Sequence, residues 1–298
     1  KAAYGTKQGA RRFYDYNTKV LKHIGMTLCP NEPCLFRFLH QESVCFLLQY
    51  VDDALIAGDP KAITHLQTEM QNHFQCKFAP PKDFLGLDIS HTEPGELTLS
   101  MDTFTTKMKD VLDLKDTYFG EILTPGRTDK KVSRTDEHEP NEKYRSHVGT
   151  LNWLTMGLRY DMAFVTKELS RVLDKPTTIA NEISQRALLY AYRTKHAHPR
   201  FSHKQMTQYT PPKTRKKPTD TIQQYDVEHY NTYDGIEHVD DNIQPQTYTH
   251  TGEQMTLTCL TDIDLAGQPD TRQSTSAYTL FLNGALFHWR AHTEKLII

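Results

Sequence analysis

The stretch Phe46–Gly58, FLLQYVDDALIAG, places two adjacent aspartates inside an apolar run. Its flanks, Phe46–Gln49 and Ala54–Ala57, are typical of β-strands, so the sequence predicts a hairpin with Val51-Asp52-Asp53 at its bend. Adjacent carboxylates repel each other, and burying an unpaired carboxylate is costly. Two interpretations follow: the acids form the polar tip of an ordinary hairpin, or they bind a strongly positive group.

A tight bend would hold the carboxylates of Asp52 and Asp53 on a rigid support. Mg²⁺ prefers oxygen ligands and usually binds one or two protein carboxylates together with substrate phosphates. Two such ions about 4 Å apart can stabilise both the attacking and the leaving oxygen of a phosphoryl transfer. The residues alone leave metal binding and an acidic hairpin tip open.

The residues around this hairpin predict an α+β layer in the first part of the chain. Asp59-Pro60 is a good helix start, and the apolar residues after it recur every three or four positions. The predicted order is helix 11–24, strands Leu35–Leu39 and Val44–Tyr50, the return strand Ala54–Ala57, helix 62–74, a second hairpin from Phe84–Ser90 and Glu96–Ser100 around Pro94-Gly95, and a helix marked by Phe104, Met108, Val111 and Leu112.

The second part of the chain changes from helical to polar and then to β-rich. Residues 140–195 predict three helices, and Trp153 and Trp289 are expected in the core. Segment 204–250 is polar and lacks periodicity, which predicts a linker or an insertion. Strands are predicted at Thr256–Leu260, Tyr278–Leu282 and Ala285–Trp289, the last two joined by the turn Asn283-Gly284.

Composition indicates an ordinary globular protein, because 37% of the 298 residues are hydrophobic and 24% are charged. No apolar run approaches the length of a membrane span, so no membrane association is expected. The five cysteines are odd in number and scattered, which favours free thiols in a reducing compartment. We therefore expect a protein that is not secreted and that resides in the cytoplasm or the nucleus.

The charges are segregated although the net charge is only −2. Residues 1–25 contain six Lys/Arg and one acid, and residues 204–218 contain five Lys/Arg and no acid. Residues 219–242 then contain seven acids and no Lys/Arg. Such blocks are usually solvated surface, but a basic patch with aromatic neighbours can also follow a phosphate backbone.

Six blocks, in order along the chain, resemble the Pol polyprotein of copia-type LTR retrotransposons. Tyr50-Val51-Asp52-Asp53 resembles the YxDD motif of reverse transcriptases, a weak signal if taken alone. The other blocks are Lys1–Gln8 (KAAYGTKQ, similar to KALYGLKQ), Phe84–Ile89 (FLGLDI), Tyr144–Leu151 (YRSHVGTL, similar to YRSLVGSL), Ala163–Arg171 with its LSR ending, and Asp262–Ser276, similar to SDADWAG…DxRxSTSG.

The resemblance covers about residues 1–200 and 255–298. It implies a ferredoxin-like polymerase palm over 1–122, a helical thumb or connection region over 123–203, a polar linker or insertion over 204–250, and the first part of a ribonuclease H-like mixed sheet over 251–298. The implied activity is synthesis of DNA from dNTPs on an RNA or DNA template–primer with Mg²⁺ or Mn²⁺. The implied compartment is a cytoplasmic virus-like particle or the nucleus, and the oligomeric state stays open.

Roles at the matched positions also follow from the resemblance. Asp52 would be the essential metal ligand and Asp53 a supporting carboxylate, and Asp262 would be the first metal ligand of the ribonuclease H site, with Asp264 as a competing candidate. Tyr50 and Val51 would contact the primer, although Tyr50 could equally be a core aromatic. Gln8 would position template base and nucleotide. Lys7 and Arg11 would contact phosphate or simply form a solvated helix start.

Departures from the family pattern predict incomplete metal sites. Gly9-Ala10, Tyr160-Asp161 and Leu265 replace the usual Ala-Pro, Pro-Asp and Trp. The family takes another catalytic aspartate from a strand before the first block, and Asp15, which lies in a helix after that block, cannot replace it. The family's ribonuclease H glutamate would follow Ile298, since Glu294 lies too early.

We therefore expect a polymerase fragment that is inactive by itself, so the sequence leaves open whether the chain acts as an enzyme. A non-catalytic nucleic-acid-binding remnant is the alternative from a different class. An acidic-hairpin scaffold with no nucleic-acid role is a third interpretation.

Overall fold

A computed structural model of the chain describes residues 6–91, 96–114, 120–127, 129–202, 249–250, 253–254, 257–264, 267–282 and 285–294. The chain divides into two compact units, one of Lys1–Ser90 with Leu99–Phe104 and one of His91–Thr98 with Thr105–Ile298. Both units mix helices and sheets, so the predicted combination of helices and strands is confirmed at that level. Nearly all of segment 204–250 lies outside the described residues.

The first unit is built around a four-stranded antiparallel sheet in the order β1-β2-β3-β4. Its elements are α1 (Lys7–His23), β1 (Thr27–Leu28), β2 (Leu35–His40), β3 (Ser43–Tyr50), β4 (Asp53–Gly58), α2 (Pro60–His73), β5 (Asp83–Phe84) and β6 (Leu87–Ser90). Helix α1 begins at Lys7, earlier than predicted, because the Thr6 hydroxyl caps it by accepting a hydrogen bond from the Gly9 N–H at 3.0 Å.

The core of this unit lies between the sheet and its helices. Alternate side chains of β2 and β3 are buried against Leu21 of α1 and against one face of α2. Full burial of each such side chain contributes roughly 1.5–3 kcal/mol. The buried set from the strands and from α2 comprises Phe36, Phe38, Cys45, Leu47, Ala62, Leu66 and Met70.

Two local predictions for the first unit are wrong in detail. Phe84–Ser90 is not one strand, because Leu85 and Gly86 adopt φ of 54° and 78° and turn the chain between β5 and β6. Asp59 does precede α2, but its carboxylate makes no helix cap. It instead accepts a hydrogen bond from the Val44 N–H at 2.8 Å and so joins β3 to the start of the helix.

The second unit contains most of the helices and a separate three-stranded sheet. Strand β7 (Glu96–Ser100) and helix α3 (Asp102–Val111) belong partly to each unit. The other elements of the second unit are α4 (Tyr144–Gly157), a 3₁₀ turn (Tyr160–Met162), α5 (Ala163–Ser170), α6 (Thr178–Arg193), β8 (Arg200–Ser202), β9 (Thr249–His250), β10 (Glu253–Gln254), β11 (Leu257–Asp264), β12 (Thr275–Leu282) and β13 (Ala285–Thr293). The described helices are all too short or too polar to cross a bilayer.

The three predicted helices between 140 and 195 are confirmed as α4, α5 and α6, which bury Leu151, Leu169 and Leu188 completely. Strands β11, β12 and β13 form an antiparallel meander, in which Leu282 pairs with Ala285 as a two-residue hairpin requires. The turn residues of that hairpin, and those at Pro94-Gly95, lie outside the described part of the chain. Strand β11 continues to Asp264, four residues beyond the predicted end.

One predicted core residue of this unit, Trp153, is 46% exposed, because the buried stripe of its helix passes through its neighbours instead. Val111, which helped to predict helix α3, is 80% exposed. On α3 the buried positions are Thr105 and Met108, and Leu112 follows the helix. Trp289 is half-buried, and its indole N–H donates to the Thr155 carbonyl at 2.8 Å.

Candidate functional site

The acidic hairpin, defined here as Tyr50-Val51-Asp52-Asp53, lies where the sequence predicts it. Strands β3 and β4 pair from Cys45 opposite Gly58 to Tyr50 opposite Asp53, so only Val51 and Asp52 form the turn. All four residues of the acidic hairpin are exposed. The prediction of a solvent-facing bend between two antiparallel strands is therefore confirmed.

The strand alternation decides which way these side chains face. Cys45, Leu47 and Gln49 of β3 are buried toward the helices, and the residues between them belong to the opposite face of the sheet. Tyr50 lies on that open face and is 56% exposed, so it is not a core aromatic. Because residues paired across two strands share a face, Asp53 lies beside Tyr50 on the open face.

The turn of the acidic hairpin is strained. Val51 has a φ of +52°, a left-handed conformation that is unusual for a β-branched residue. Such a conformation costs on the order of 1–3 kcal/mol and persists only where the surrounding structure enforces it. Here the Val51 carbonyl accepts a 3.4 Å hydrogen bond from the buried Gln49 amide, which connects the turn to the sheet's covered face.

Gln49 was not found by sequence reasoning. The Oε1 atom of this side chain is buried and has no hydrogen-bond partner among the described residues. A glutamine at an inward position of an otherwise apolar strand was the available signal, since Cys45, Leu47 and Gln49 follow the two-residue period.

The carboxylates of Asp52 and Asp53 have no ion-pair or hydrogen-bond partner within the described residues. They are neighbours in the chain, and adjacent carboxylates repel each other and favour a nearby cation. Oxygen donors of this kind fit Mg²⁺ or Mn²⁺, which keep waters and accept one or two protein carboxylates. In the described ranges, no group of three or more metal-binding side chains converges at one place.

Helix α1 carries the other predicted contacts of the first unit. Gln8 lies in the first turn and is exposed, and Lys7 is the first helical residue. Arg11 pairs with Asp15 at 3.2 Å, one helical turn away, and its guanidinium lies 5.8 Å from the Tyr14 ring centre. Asp15 is thus engaged with Arg11.

Asp262 belongs to the second unit, on strand β11. Its carboxylate is exposed and accepts a hydrogen bond from the Ile263 N–H at 2.9 Å. It lines a cleft of about 230 Å³, whose wall includes Asp161, Phe164 and Trp289. Asp264 also lies on β11, but a Cβ atom at Gly267 would be 1.8 Å from its Oδ2 atom. The Asp264 carboxylate thus lies close to the backbone, whereas Asp262 opens into the cleft.

A network of charged side chains joins helix α5 to the segment after β11. The Arg171 guanidinium donates to Asp270 at 2.5 Å and to Glu168 at 2.9 Å, and Lys167 donates to Glu168 and to the Thr275 hydroxyl at 2.6 Å each. All four charged side chains are at most 15% exposed. Burial pushes the pKa of Asp270 upward, but hydrogen bonds from Arg171 and the Arg134 N–H outweigh it and hold this pKa below its usual value.

A second buried cation lies at the end of helix α6. Arg159, 4% exposed, forms a two-bond ion pair with Asp161 at 3.0 and 2.8 Å and donates to the carbonyls of Ala191 and Thr194. A cation is favourable at the carbonyl end of a helix. Tyr190 donates to the same Asp161 carboxylate at 2.9 Å, so this aspartate accepts three hydrogen bonds. Pairings between such distant positions leave no periodic signal in the sequence.

Comparison with known proteins connects the first unit to a family. Residues 1–125 match the family model described as reverse transcriptase (RNA-dependent DNA polymerase). This range contains the acidic hairpin, Gln8 and Arg11, and it ends before the strand that carries Asp262. No solved structure matches the chain.

Three transposon proteins are similar to the chain. A putative transposon Ty5-1 protein of Saccharomyces cerevisiae is 28% identical over 196 residues, or 64% of this chain and 63% of the yeast protein. The retrovirus-related Pol polyprotein from transposon RE2 of Arabidopsis thaliana is 29% identical over 198 residues, or 64% of this chain and 13% of the polyprotein. That from transposon TNT 1-94 of Nicotiana tabacum is 28% identical over 188 residues, or 59% of this chain and 14% of the polyprotein.

The aligned part thus spans less than two thirds of the yeast relative and about a seventh of each plant polyprotein. The predicted resemblance to a retrotransposon reverse transcriptase is confirmed by these matches. Residues 1–125 are thus similar to reverse transcriptases, and the chain is similar to retrotransposon Pol proteins.

Proposed function

We propose that the first unit is the metal- and primer-binding part of a polymerase that copies an RNA or DNA template into DNA from dNTPs. The observation that carries the proposal is the acidic hairpin, whose two adjacent carboxylates are exposed, lack partners among the described residues and lie at a strained turn on a well-packed sheet. Strain of this kind is concentrated at functional sites.

Each residue of the acidic hairpin has a distinct role in this proposal. Asp52 is the principal metal ligand because it lies in the turn itself, and Asp53 supports it from the first position of β4. Tyr50 and Val51 contact the primer terminus from the open face of the sheet. A divalent ion bound here would supply positive charge to the oxygens of the transferred phosphoryl group.

Helix α1 supplies the second part of the proposal. Gln8 in its first turn positions the template base and the incoming nucleotide, and Lys7 and Arg11 attract phosphate. Arg11 must exchange its exposed pair with Asp15 for this role, which requires little energy because exposed ion pairs contribute only about 0–1 kcal/mol.

For residues 123–203 we propose a helical thumb or connection region, and for residues 251–298 the start of a ribonuclease H-like sheet. The support is the antiparallel meander of β11, β12 and β13, together with the exposed carboxylate of Asp262 in a cleft. Asp262 is favoured over Asp264 as the metal ligand because Asp264 lies close to the Gly267 backbone. The predicted domain limits, and the linker or insertion over 204–250, stay part of this proposal.

A second candidate function is binding of nucleic acid without catalysis. It is favoured by one observation, namely that no third metal-binding side chain joins Asp52 and Asp53 in the described residues. Two carboxylates can hold Mg²⁺ loosely, but phosphoryl transfer depends almost entirely on accurate positioning and charge. The chain alone should therefore bind a template–primer and extend it no faster than background.

The test is fluorescence anisotropy with a labelled RNA–DNA template–primer, with and without Mg²⁺, for the chain and for Asp52→Asn. We expect Mg²⁺ to tighten binding of the unmodified chain and to have no effect on the variant, with primer extension at background in both. Asp136→Asn, an aspartate of the second unit, is the matched control. Equal Mg²⁺ responses of chain and Asp52→Asn would refute the proposed site, and metal-dependent extension that Asp52→Asn abolishes would refute the expected inactivity.

A further inference from the structure

The second unit contains a pair of lysines that converge on one aromatic ring. The Lys109 ammonium of α3 lies 4.6 Å from the ring centre of Tyr192, and the Lys195 ammonium lies 5.4 Å from the same centre. Lys195 also donates to the Thr106 hydroxyl at 3.2 Å, which holds it toward α3. We name Lys109, Tyr192 and Lys195 the tyrosine bracket.

The tyrosine bracket has an excess of positive charge in the part of the chain that the structure describes. Neither lysine has a carboxylate within ion-pair distance among the described residues. The contributing segments, 105–111 and 189–198, contain Lys107, Lys109, Arg193 and Lys195 against the single acid Asp110, a formal balance of 4 − 1 = +3. Tyr192 and both lysines are partly accessible, so a ligand can reach them.

Helix dipoles explain only part of this arrangement. Lys109 and Arg193 lie in the last turns of α3 and α6, where cations are favourable. That effect does not require two ammonium groups to share one ring, because each cation–π contact is satisfied by one cation and like charges repel. A bound polyanion would remove the repulsion and use both lysines at once.

We propose that the tyrosine bracket binds the phosphodiester backbone of a nucleic acid. Backbone recognition fits better than base stacking, because the Tyr192 ring is already contacted by two cations and is not free to stack on a base. The inferred contact is therefore independent of sequence and strongly dependent on salt. It rests on the proposed function only in naming nucleic acid as the source of phosphate, and it involves none of the residues assigned to metal, primer or nucleotide binding.

The test is a salt titration of the affinity of the chain for a short DNA duplex. Each phosphate neutralised on a duplex contributes about 0.9 to the slope of log affinity against log salt. Lys109→Gln combined with Lys195→Gln should reduce the magnitude of that slope by about 1.8. Lys143→Gln with Lys175→Gln, two exposed lysines of the same unit, is the control of equal charge and should leave the slope unchanged. Lys109→Arg with Lys195→Arg should restore it.

A parallel titration with inorganic polyphosphate separates nucleic acid from free phosphate polymers. If the double glutamine variant has the DNA slope of the control pair, the proposal is overturned. It is also overturned if the substitutions weaken only polyphosphate binding. Asp52→Asn should not change the slope, so a failure of the palm proposal and a failure of the tyrosine bracket are distinguishable. Thermal melting of the arginine variant, which keeps both charges, establishes that the fold is retained.

Discussion

The acidic hairpin of the first unit and the acidic residues of the second unit differ in what surrounds their carboxylates. Asp52 and Asp53 are exposed and have no partner in the described residues. Asp161 and Asp270 each meet an arginine, and Asp270 is 8% exposed. Sequence position alone does not distinguish these aspartates, because all four lie in blocks that resemble family motifs or beside them.

The partner of a carboxylate thus indicates whether it stabilises the fold or is available to bind a cation. A paired and buried carboxylate stabilises the fold, and removing it leaves an uncompensated cation. An unpaired pair of carboxylates at a strained turn destabilises the fold slightly and becomes favourable only when a cation binds. This contrast predicts opposite consequences for similar substitutions in the two units.

Asp270→Ala should produce the largest change in stability. It leaves the Arg171 guanidinium, 15% exposed, with Glu168 as its remaining partner. Breaking a buried pair in this way costs about 3 kcal/mol in unfolding free energy. Chemical denaturation measures the change. Asp174→Ala, which removes the exposed partner of Arg134, is the control and should have a much smaller effect. Equal losses for the two variants would contradict the structural role of the buried network.

His147 should make the second unit sensitive to acid. Its ring is 3% exposed, lies 3.2 Å from the Ser184 hydroxyl, and has a pKa lowered by burial and by Lys143. His147 therefore binds a proton more readily in the unfolded chain than in the folded one. The unfolding free energy keeps its full value above the ordinary histidine pKa of about 6.5, and at lower pH it decreases by up to about 1.4 kcal/mol per pH unit. His147→Leu should remove this part of the pH dependence.

Denaturation at pH 5.5 and pH 8 measures the effect of His147→Leu. The variant should gain stability relative to the unmodified chain at the lower pH. His91→Gln, which removes an exposed histidine, is the control. A pH-independent effect of His147→Leu would mean that the ring is protonated equally in the folded and unfolded chain.

A substitution in the turn of the acidic hairpin should change the unfolding free energy by a smaller amount, and should raise it. Val51→Gly should stabilise the first unit by about 1 kcal/mol, because glycine adopts a φ of +52° without strain. Gln41→Gly, at a φ of 54° but without β-branching, should gain less. Thermal melting of the two variants gives the comparison, and a loss of stability in Val51→Gly would show that the turn is not strained.

Much of the fold could be predicted from local patterns. The two-residue alternation of β3 and the amphipathic spacing of α2 identify which sides face the core, and the location of Asp52 at the bend follows from them. Such patterns cannot reveal pairings across 99 residues, such as Arg171 with Asp270. They also missed the turn at Leu85-Gly86, where a positive φ interrupts an apolar run, and the exposure of Trp153, because an aromatic residue indicates burial only on average.

The candidate site was predictable in its location but not in its strain. The acidic pair and its two strands were evident in the sequence, and the resemblance supplied the roles. The left-handed Val51 and the buried Gln49 that contacts it depend on tertiary packing, which overrides the local preference of a β-branched residue. Neither the left-handed turn nor its contact with Gln49 could be inferred from the alternation of apolar residues along β3 and β4.

The acidic hairpin is tested most directly as a metal site by a Mn²⁺ titration of the purified chain followed by electron paramagnetic resonance. We predict weakly bound Mn²⁺ at the acidic hairpin that is lost in Asp52→Asn and weakened in Asp53→Asn, while Asp270→Asn retains it if the protein is folded. Binding that persists undiminished in Asp52→Asn, or that is lost only in Asp270→Asn, would contradict the assignment of the acidic hairpin as the metal site.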